Sequence, residues 1–246
     1  YVYNHLGHFA AANDALCKAL LLGGVMRRFP ALNVAFLEGG VGWSAKLYND
    51  LISHWRTRSP AALAKHLSPR NLDPVRLREL IRTHGDARLR TVADKLLERP
   101  SSMRVNLPTE ALAARDDALP NDFAASGITD AGQFATVFDR FFFGCEADDV
   151  SVAWGYHAST GTRLRPVFGS DIGHFDVPDM AGVLCEAFDL VEHGQVTAEQ
   201  FREFTYLNAA LLHTRMNPEF FKGTLIEQTV RADLAQYAAG ASTIRR

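Results

Sequence analysis

Three short apolar runs divide the chain: LNVAFL at residues 32–37, RFFFGC at 140–145 and LRPVF at 164–168. Each run ends in acidic residues or glycines, and a segment with helical spacing follows it. Continuous apolar runs of this length are typical of strands that are buried on both faces of a parallel sheet. The pattern therefore predicts an α/β fold.

Apolar residues at helical spacing occupy much of the remaining chain. Gly23 and Gly194 provide stops for two of the segments, and Thr197 with Gln200 forms the pattern of a capping box. Residues 105–127 carry turn-forming residues and predict a loop. We predict helices over residues 10–22, 43–55, 76–84, 88–100, 128–140, 179–194 and 197–213.

The charges are distributed unevenly along the chain. Residues 54–104 contain 12 Lys or Arg against 5 Asp or Glu, whereas residues 121–233 contain 7 against 17. Four prolines also divide the basic stretch into short pieces. We interpret residues 54–127 as a basic helical insertion into a larger domain.

The composition excludes several classes of protein. Three cysteines among 246 residues argue against a disulfide framework and favour the cytoplasm. No apolar run approaches the ~20 residues that a membrane span needs. The basic residues alternate with apolar ones and include few aromatics, which argues against a nucleic-acid partner and for a solvated helical face.

Carboxylates stand at the ends of all three predicted strands: Glu38, Glu146 and Asp171. His174 and Asp176 follow Asp171 closely enough to share a site with it. A carboxylate held at the end of a buried strand can bind a divalent metal or take a proton from a metal-bound water. The alternatives are ordinary: Asp171 caps a turn, Glu38 pairs with an arginine, and His174 is simply solvated.

Four longer segments carry a family resemblance: ALLLGGVMRRFPALNVAFLEGGVGW, RFFFGCEADDVSVAWGY, FGSDIGHFDVPDM and FTYLNAALLH. Together they resemble the C-terminal half of the amidohydrolase-related family, within the metal-dependent amidohydrolase superfamily. Its relatives include amino-carboxymuconate-semialdehyde decarboxylases. The resemblance implies a (β/α)₈ TIM barrel of which this chain supplies about strands six to eight. We accordingly expect a fragment of a longer protein, cut at Tyr1.

The resemblance also implies one divalent metal, usually Zn²⁺. The family holds it with an HxH motif, a histidine on the fifth strand and an aspartate on the eighth, and Asp171 matches only the last of these. Glu38 stands where many members carry a catalytic histidine. We therefore expect Asp171, Glu38 and His174 to be catalytic and Asp171 to be the metal ligand. From their positions in the sequence we expect Arg163, Arg165 and Glu146 to bind substrate, with the alternative that the two arginines are surface charges.

The expected function is metal-dependent hydrolysis of a small carboxylated or cyclic substrate by a metal-activated water. Nonoxidative decarboxylation on the same metal site is the alternative, because both reactions use the same ligand set. A third hypothesis is a non-catalytic binding module or an inactive fragment. For the full-length protein we also expect a homodimer.

Overall fold

A computed structural model of the protein describes residues 2–67, 73–98 and 121–244. These residues divide into two compact units. Residues 1–52 and 126–246 form the first unit, and residues 53–125 form the second. The second unit spans nearly the same residues as the predicted insertion at 54–127, although its insertion into a barrel stays a prediction.

Within the described residues, a small three-stranded sheet is accompanied by fourteen α-helices, so the class is α/β and mostly helical. The strands are β1 (Val34–Phe36), β2 (Phe141–Cys145) and β3 (Pro166–Phe168). The helices are α1 (Val2–His5), α2 (His8–Leu22), α3 (Val25–Arg28), α4 (Gly42–Arg58), α5 (Pro60–Ala62), α6 (Pro74–His84), α7 (Ala87–Glu98), α8 (Asp122–Ser126), α9 (Gln133–Phe138), α10 (Val152–Tyr156), α11 (Val183–Glu192), α12 (Ala198–Arg202), α13 (Asn208–Met216) and α14 (Glu227–Ile244).

The sheet is parallel, with the strands side by side in the order β1-β2-β3. Val34 is in register with Phe141, and Phe143 is in register with Pro166. The central strand β2 is buried along its whole length. The prediction of three parallel strands is therefore confirmed, but burial along the whole strand holds only for β2, because two of the three residues in each of β1 and β3 are half-buried.

Aromatic packing builds the core around β2. The rings of Phe36 and Phe143 stack at 5.9 Å, and Trp43 meets Phe143 edge-on at 5.5 Å. At the β3 edge of the sheet, the buried Asn208 of α13 donates a 2.8 Å hydrogen bond to the carbonyl of Pro166. Strand and helix are thus tied together by packing and by a buried polar contact.

The predicted helix ends mostly agree with the structure. Helix α2 ends at Leu22 with Gly23 as its C-cap, as the two glycines indicated. The capping box before α12 is present, because the Thr197 hydroxyl and the Gln200 amide oxygen each accept the other's backbone N–H. A π-helical turn, Glu203–Leu207, interrupts the single helix predicted over 197–213.

The loop predicted over residues 105–127 lies largely outside the described residues. Its described end contains helix α8, so the prediction is wrong there. The side chain of Asn121 accepts a 2.9 Å hydrogen bond from the backbone N–H of Phe123, which starts the helical turn. Burial of Phe123 against Trp55, with ring centroids 5.1 Å apart, supplies the hydrophobic contact that holds it.

Within the parts of the chain that the structure describes, no helix has both the length and the hydropathy that a membrane crossing needs.

Candidate metal centre

Three acidic loops meet at one edge of the sheet. Glu38 lies two residues beyond β1, Glu146 follows β2 directly, and Asp171 lies three residues beyond β3. Because the three strands are parallel neighbours, their carboxyl ends share that edge. The sheet therefore places the three predicted carboxylates on the same side of the molecule.

Two of these carboxylates stand on unusual backbone. Glu38 has φ of 58° and Asp171 has φ of 50°, and they are the non-glycine residues with positive φ among those the structure describes. Left-handed conformations are uncommon for residues with a Cβ and tend to cluster at functional sites. Both therefore occupy positions that the surrounding loops must hold in place.

The loop after β3 folds back so that Asp171, His174 and Asp176 come together. The backbone N–H of His174 donates to the carbonyl of Asp171 at 3.2 Å, which closes a turn. Across this turn, Nδ1 of His174 lies 2.6 Å from Oδ1 of Asp171. Each of the three residues offers one potential ligand atom, and these atoms all lie within 4.8 Å of one another.

The electrostatics of this group favour a protonated imidazole. The hydrogen bond that the ring donates to the Asp171 carboxylate, together with the negative charge of that carboxylate, raises the pKa of His174, and the charges of Asp176 and Glu38 add to the effect. The ring itself is well exposed, with 62% of its side-chain surface accessible.

The group fits a divalent cation in its donor types. Two carboxylates and one imidazole are ligands that Zn²⁺ accepts, and a catalytic zinc site uses three protein ligands with one open position. Two atoms bound to one tetrahedral zinc ion lie about 3.3 Å apart, given ligand distances of about 2.0–2.1 Å. The ring of His174 must therefore move slightly away from Asp171, and its exposure permits that movement.

A cavity of about 340 Å³ lies beside this group, and its walls are strongly acidic. The buried Ala147 and Val183 contribute apolar surface to it. Burial raises the pKa of Glu146, and the charges of Asp148, Asp171 and Asp176 raise it further. Six carboxylate residues line the cavity: Glu146, Asp148, Asp171, Asp176, Asp179 and Glu186.

Arg163 and Arg165 lie at the opposite end of β3, because they precede the strand whereas Asp171 follows it. Arg163 forms an ion pair with Glu203, and the largely buried Arg165 forms one with Asp139. Neither residue lines the acidic cavity. The structure thus separates these two predicted substrate-binding residues from Glu146, Asp171 and His174.

Two of the cavity residues, Asp179 and Glu186, were not predicted as site residues from the sequence. Asp179 accepts hydrogen bonds from the backbone N–H groups of Ala181 and Gly182, at 3.2 and 3.0 Å, as a turn residue does. Glu186 lies in the first turn of α11. The sequence signal that could have identified them is their position at the start of the helix after β3, since the helix after a parallel strand starts at the edge where that strand ends.

Comparison of the chain with protein-family models, with curated proteins and with solved structures finds no significant match in any of the three.

Proposed function

We propose that this chain carries the ion-holding part of the active site of a metal-dependent hydrolase. The observation that supports the proposal most strongly is the grouping of Asp171, His174 and Asp176 at the carboxyl edge of a parallel sheet. Parallel α/β folds place ligand and catalytic residues at that edge. The proposal extends to membership of the amidohydrolase-related family, on the sequence resemblance given above.

In this proposal each residue has a separate task. Asp171 and Asp176 hold the divalent cation with their carboxylates, and His174 supplies an imidazole ligand or retains a proton beside Asp171. Glu38 orients the attacking water by accepting a hydrogen bond from it. When bound, Zn²⁺ would bring the pKa of its water toward ~7, which makes hydroxide accessible at neutral pH.

The acidic cavity bears on the choice of substrate. Six carboxylate residues repel a substrate carboxylate, and a single divalent cation offsets only part of that charge. The ion pairs of Arg163 and Arg165 leave their predicted role in binding a substrate carboxylate without support. Of the two substrate classes expected from the sequence, the proposal therefore favours the cyclic one, with an uncharged ring at the reacting centre.

The wider architecture is also part of the proposal. We take β1, β2 and β3 as strands six to eight of a (β/α)₈ barrel, with the unit at residues 53–125 as an insertion between strands six and seven. The full-length protein is proposed to be a cytoplasmic homodimer. The cytoplasmic location follows the argument from sparse cysteines, and Cys17, Cys145 and Cys185 are all free thiols.

The function is tested by turnover of small lactones, cyclic imides and aromatic carboxylic acids by Zn²⁺-loaded protein. Ring opening by water releases acid, which a pH-stat records, whereas decarboxylation releases CO₂. We expect acid release from a cyclic compound, and we expect Asp171→Ala to abolish both bound zinc and turnover. CO₂ release from an aromatic acid would establish the decarboxylase alternative, and zinc binding without any turnover would leave a non-catalytic module.

A further inference from the structure

Glu38 needs an external support for its backbone. Its φ of 58° is left-handed, a conformation that is sterically unfavourable for a residue with a Cβ. Nothing in the side chain of a glutamate favours it, unlike that of an asparagine. The support must therefore come from the residues that hold its two flanking peptide groups.

A residue of helix α2 holds the peptide group between Leu37 and Glu38. Nδ2 of Asn13 donates a 2.8 Å hydrogen bond to the carbonyl oxygen of Leu37, the residue before Glu38. Gly39, on the other side of Glu38, packs against the same amide: a Cβ at Gly39 would lie 2.7 Å from Nδ2 of Asn13. One side chain thus contacts both neighbours of Glu38.

Gly40, two residues after Glu38, is held by strand β2. The backbone N–H of Gly40 donates to the carbonyl of Gly144 in β2 at 3.0 Å. Gly40 has φ of 66°, and a Cβ there would lie 2.5 Å from Oδ2 of Asp149, so any other residue would be strained and would have to displace that carboxylate. With Leu37 and Gly40 both fixed, the direction in which the Glu38 side chain leaves the backbone is also fixed.

We propose that Asn13 is a positioning residue, whose hydrogen bond to Leu37 holds Glu38 in its left-handed conformation at the end of β1. Strand pairing holds the chain up to Phe36 and Gly40 ties the loop to β2, so the peptide between Leu37 and Glu38 lies between two fixed points. The hydrogen bond from Asn13 is the side-chain contact that fixes the orientation of this peptide. The consequence of this role for catalysis rests on the proposed function, whereas the conformational role does not.

The test compares Asn13→Ala and Asn13→Asp with the wild-type protein and with Asn49→Ala. Both substitutions at Asn13 remove the donor, and the aspartate preserves the shape of the side chain. Asn49→Ala is the matched control, because Nδ2 of Asn49 donates a 2.9 Å hydrogen bond to a backbone carbonyl, that of Ala45, within α4. Circular dichroism verifies that each variant is folded.

The primary readout is the sign of φ at Glu38, from NMR couplings and backbone shifts or from a crystal structure. We expect φ to become negative in both variants of Asn13 and to stay positive in Asn49→Ala. A positive φ in a folded Asn13 variant would overturn the inference, and so would a sign change in Asn49→Ala. If one Asn13 variant fails to fold, the other decides.

A second readout separates this inference from the proposed function. With a cyclic ester that the Zn²⁺-loaded protein hydrolyses, we expect Asn13→Ala to lower kcat about tenfold or more with KM little changed, since misplaced catalytic groups cost rate more than binding. An equal loss in Asn49→Ala would contradict a specific role. If the wild-type protein hydrolyses nothing, the proposed function fails, and the sign of φ still decides the role of Asn13.

Discussion

The imidazole Nδ1 of His174 lies 2.6 Å from the carboxylate Oδ1 of Asp171, across a turn that follows β3. The two residues are held there by the backbone hydrogen bond from His174 to Asp171. A histidine and an aspartate in this relationship share a proton, and they can also share a cation. The pair therefore connects the local fold to the proposed chemistry.

The metal-free protein should show this pairing in the titration of His174. We expect an NMR-detected pKa above the ordinary value of 6.5, because the hydrogen bond and charge of Asp171 favour the protonated ring. The resulting contribution to folding stability is present below the unfolded pKa and is lost as the pH rises through the folded pKa. Asp171→Asn should lower the pKa of His174.

Asp179→Asn is the matched control for that titration. It removes one carboxylate charge from the same cavity, but Asp179 bonds to backbone N–H groups and not to His174. The pKa of His174 should therefore be nearly the same in Asp179→Asn and in the wild-type protein. An equal fall in both variants would show that the general acidity of the cavity, and not the Asp171 hydrogen bond, sets the titration.

Asp139 should make a large contribution to stability. It pairs with Arg165 and with Arg215, whose Nη2 lies 2.9 Å from Oδ2. Burial raises the pKa of Asp139, but the two guanidinium groups outweigh burial and hold the pKa below its usual range. We expect Asp139→Asn to lower the free energy of unfolding by about 2–3 kcal/mol in urea denaturation.

The pH dependence of the Asp139 contribution has a defined sign. Because its folded pKa is depressed, the stability it provides is present above its unfolded pKa, near 3.8, and is lost as the pH falls through the folded value. Glu219→Gln serves as control, since Glu219 pairs with Lys222 on the exposed surface and should cost about 0.5 kcal/mol or less. Similar losses for both variants would refute the structural role of Asp139.

Gly144 is expected to resist substitution. A Cβ at this position of β2 would lie 3.0 Å from the Cα of Leu37 and 3.3 Å from the backbone nitrogen of Glu38. Gly144→Ala should therefore push the β1 loop outward and destabilise the fold by about 1–3 kcal/mol. Gly169→Ala, at the end of the neighbouring strand, meets only the Cys145 carbonyl oxygen at 3.7 Å and should be tolerated. Equal stability of the two variants would contradict this packing.

Local patterns in the sequence predicted the strands and most helix ends, because apolar runs, glycine stops and the Thr197 capping box act over a few residues. The same is true of the loop after β3, where Asp171 and His174 are three residues apart. The contacts of the arginines were not predictable in this way. Arg165 meets Asp139, which lies 26 residues earlier in the chain, so its ion pair depends on the tertiary fold.

The β1 loop shows a similar limit. Asn13 and Leu37 lie 24 residues apart, and no local pattern indicates that the amide of one would bind the carbonyl of the other. Nor does a glutamate predict left-handed backbone, because its side chain gives no preference for it. The sequence identified Glu38 as a strand-end acid, but its conformation depends on neighbours that only the folded chain brings together.

The proposed cation site is tested most directly by calorimetric titration of the metal-free protein with Zn²⁺. We predict one bound ion in the wild-type protein. Asp171→Asn and Asp176→Asn should each reduce the affinity about 100-fold or more, because loss of a group that only contacts a metal ligand already costs 10–100-fold at such sites. Asp179→Asn should bind with near wild-type affinity. Equal affinity in all four proteins, or no binding to the wild-type protein, would contradict the account.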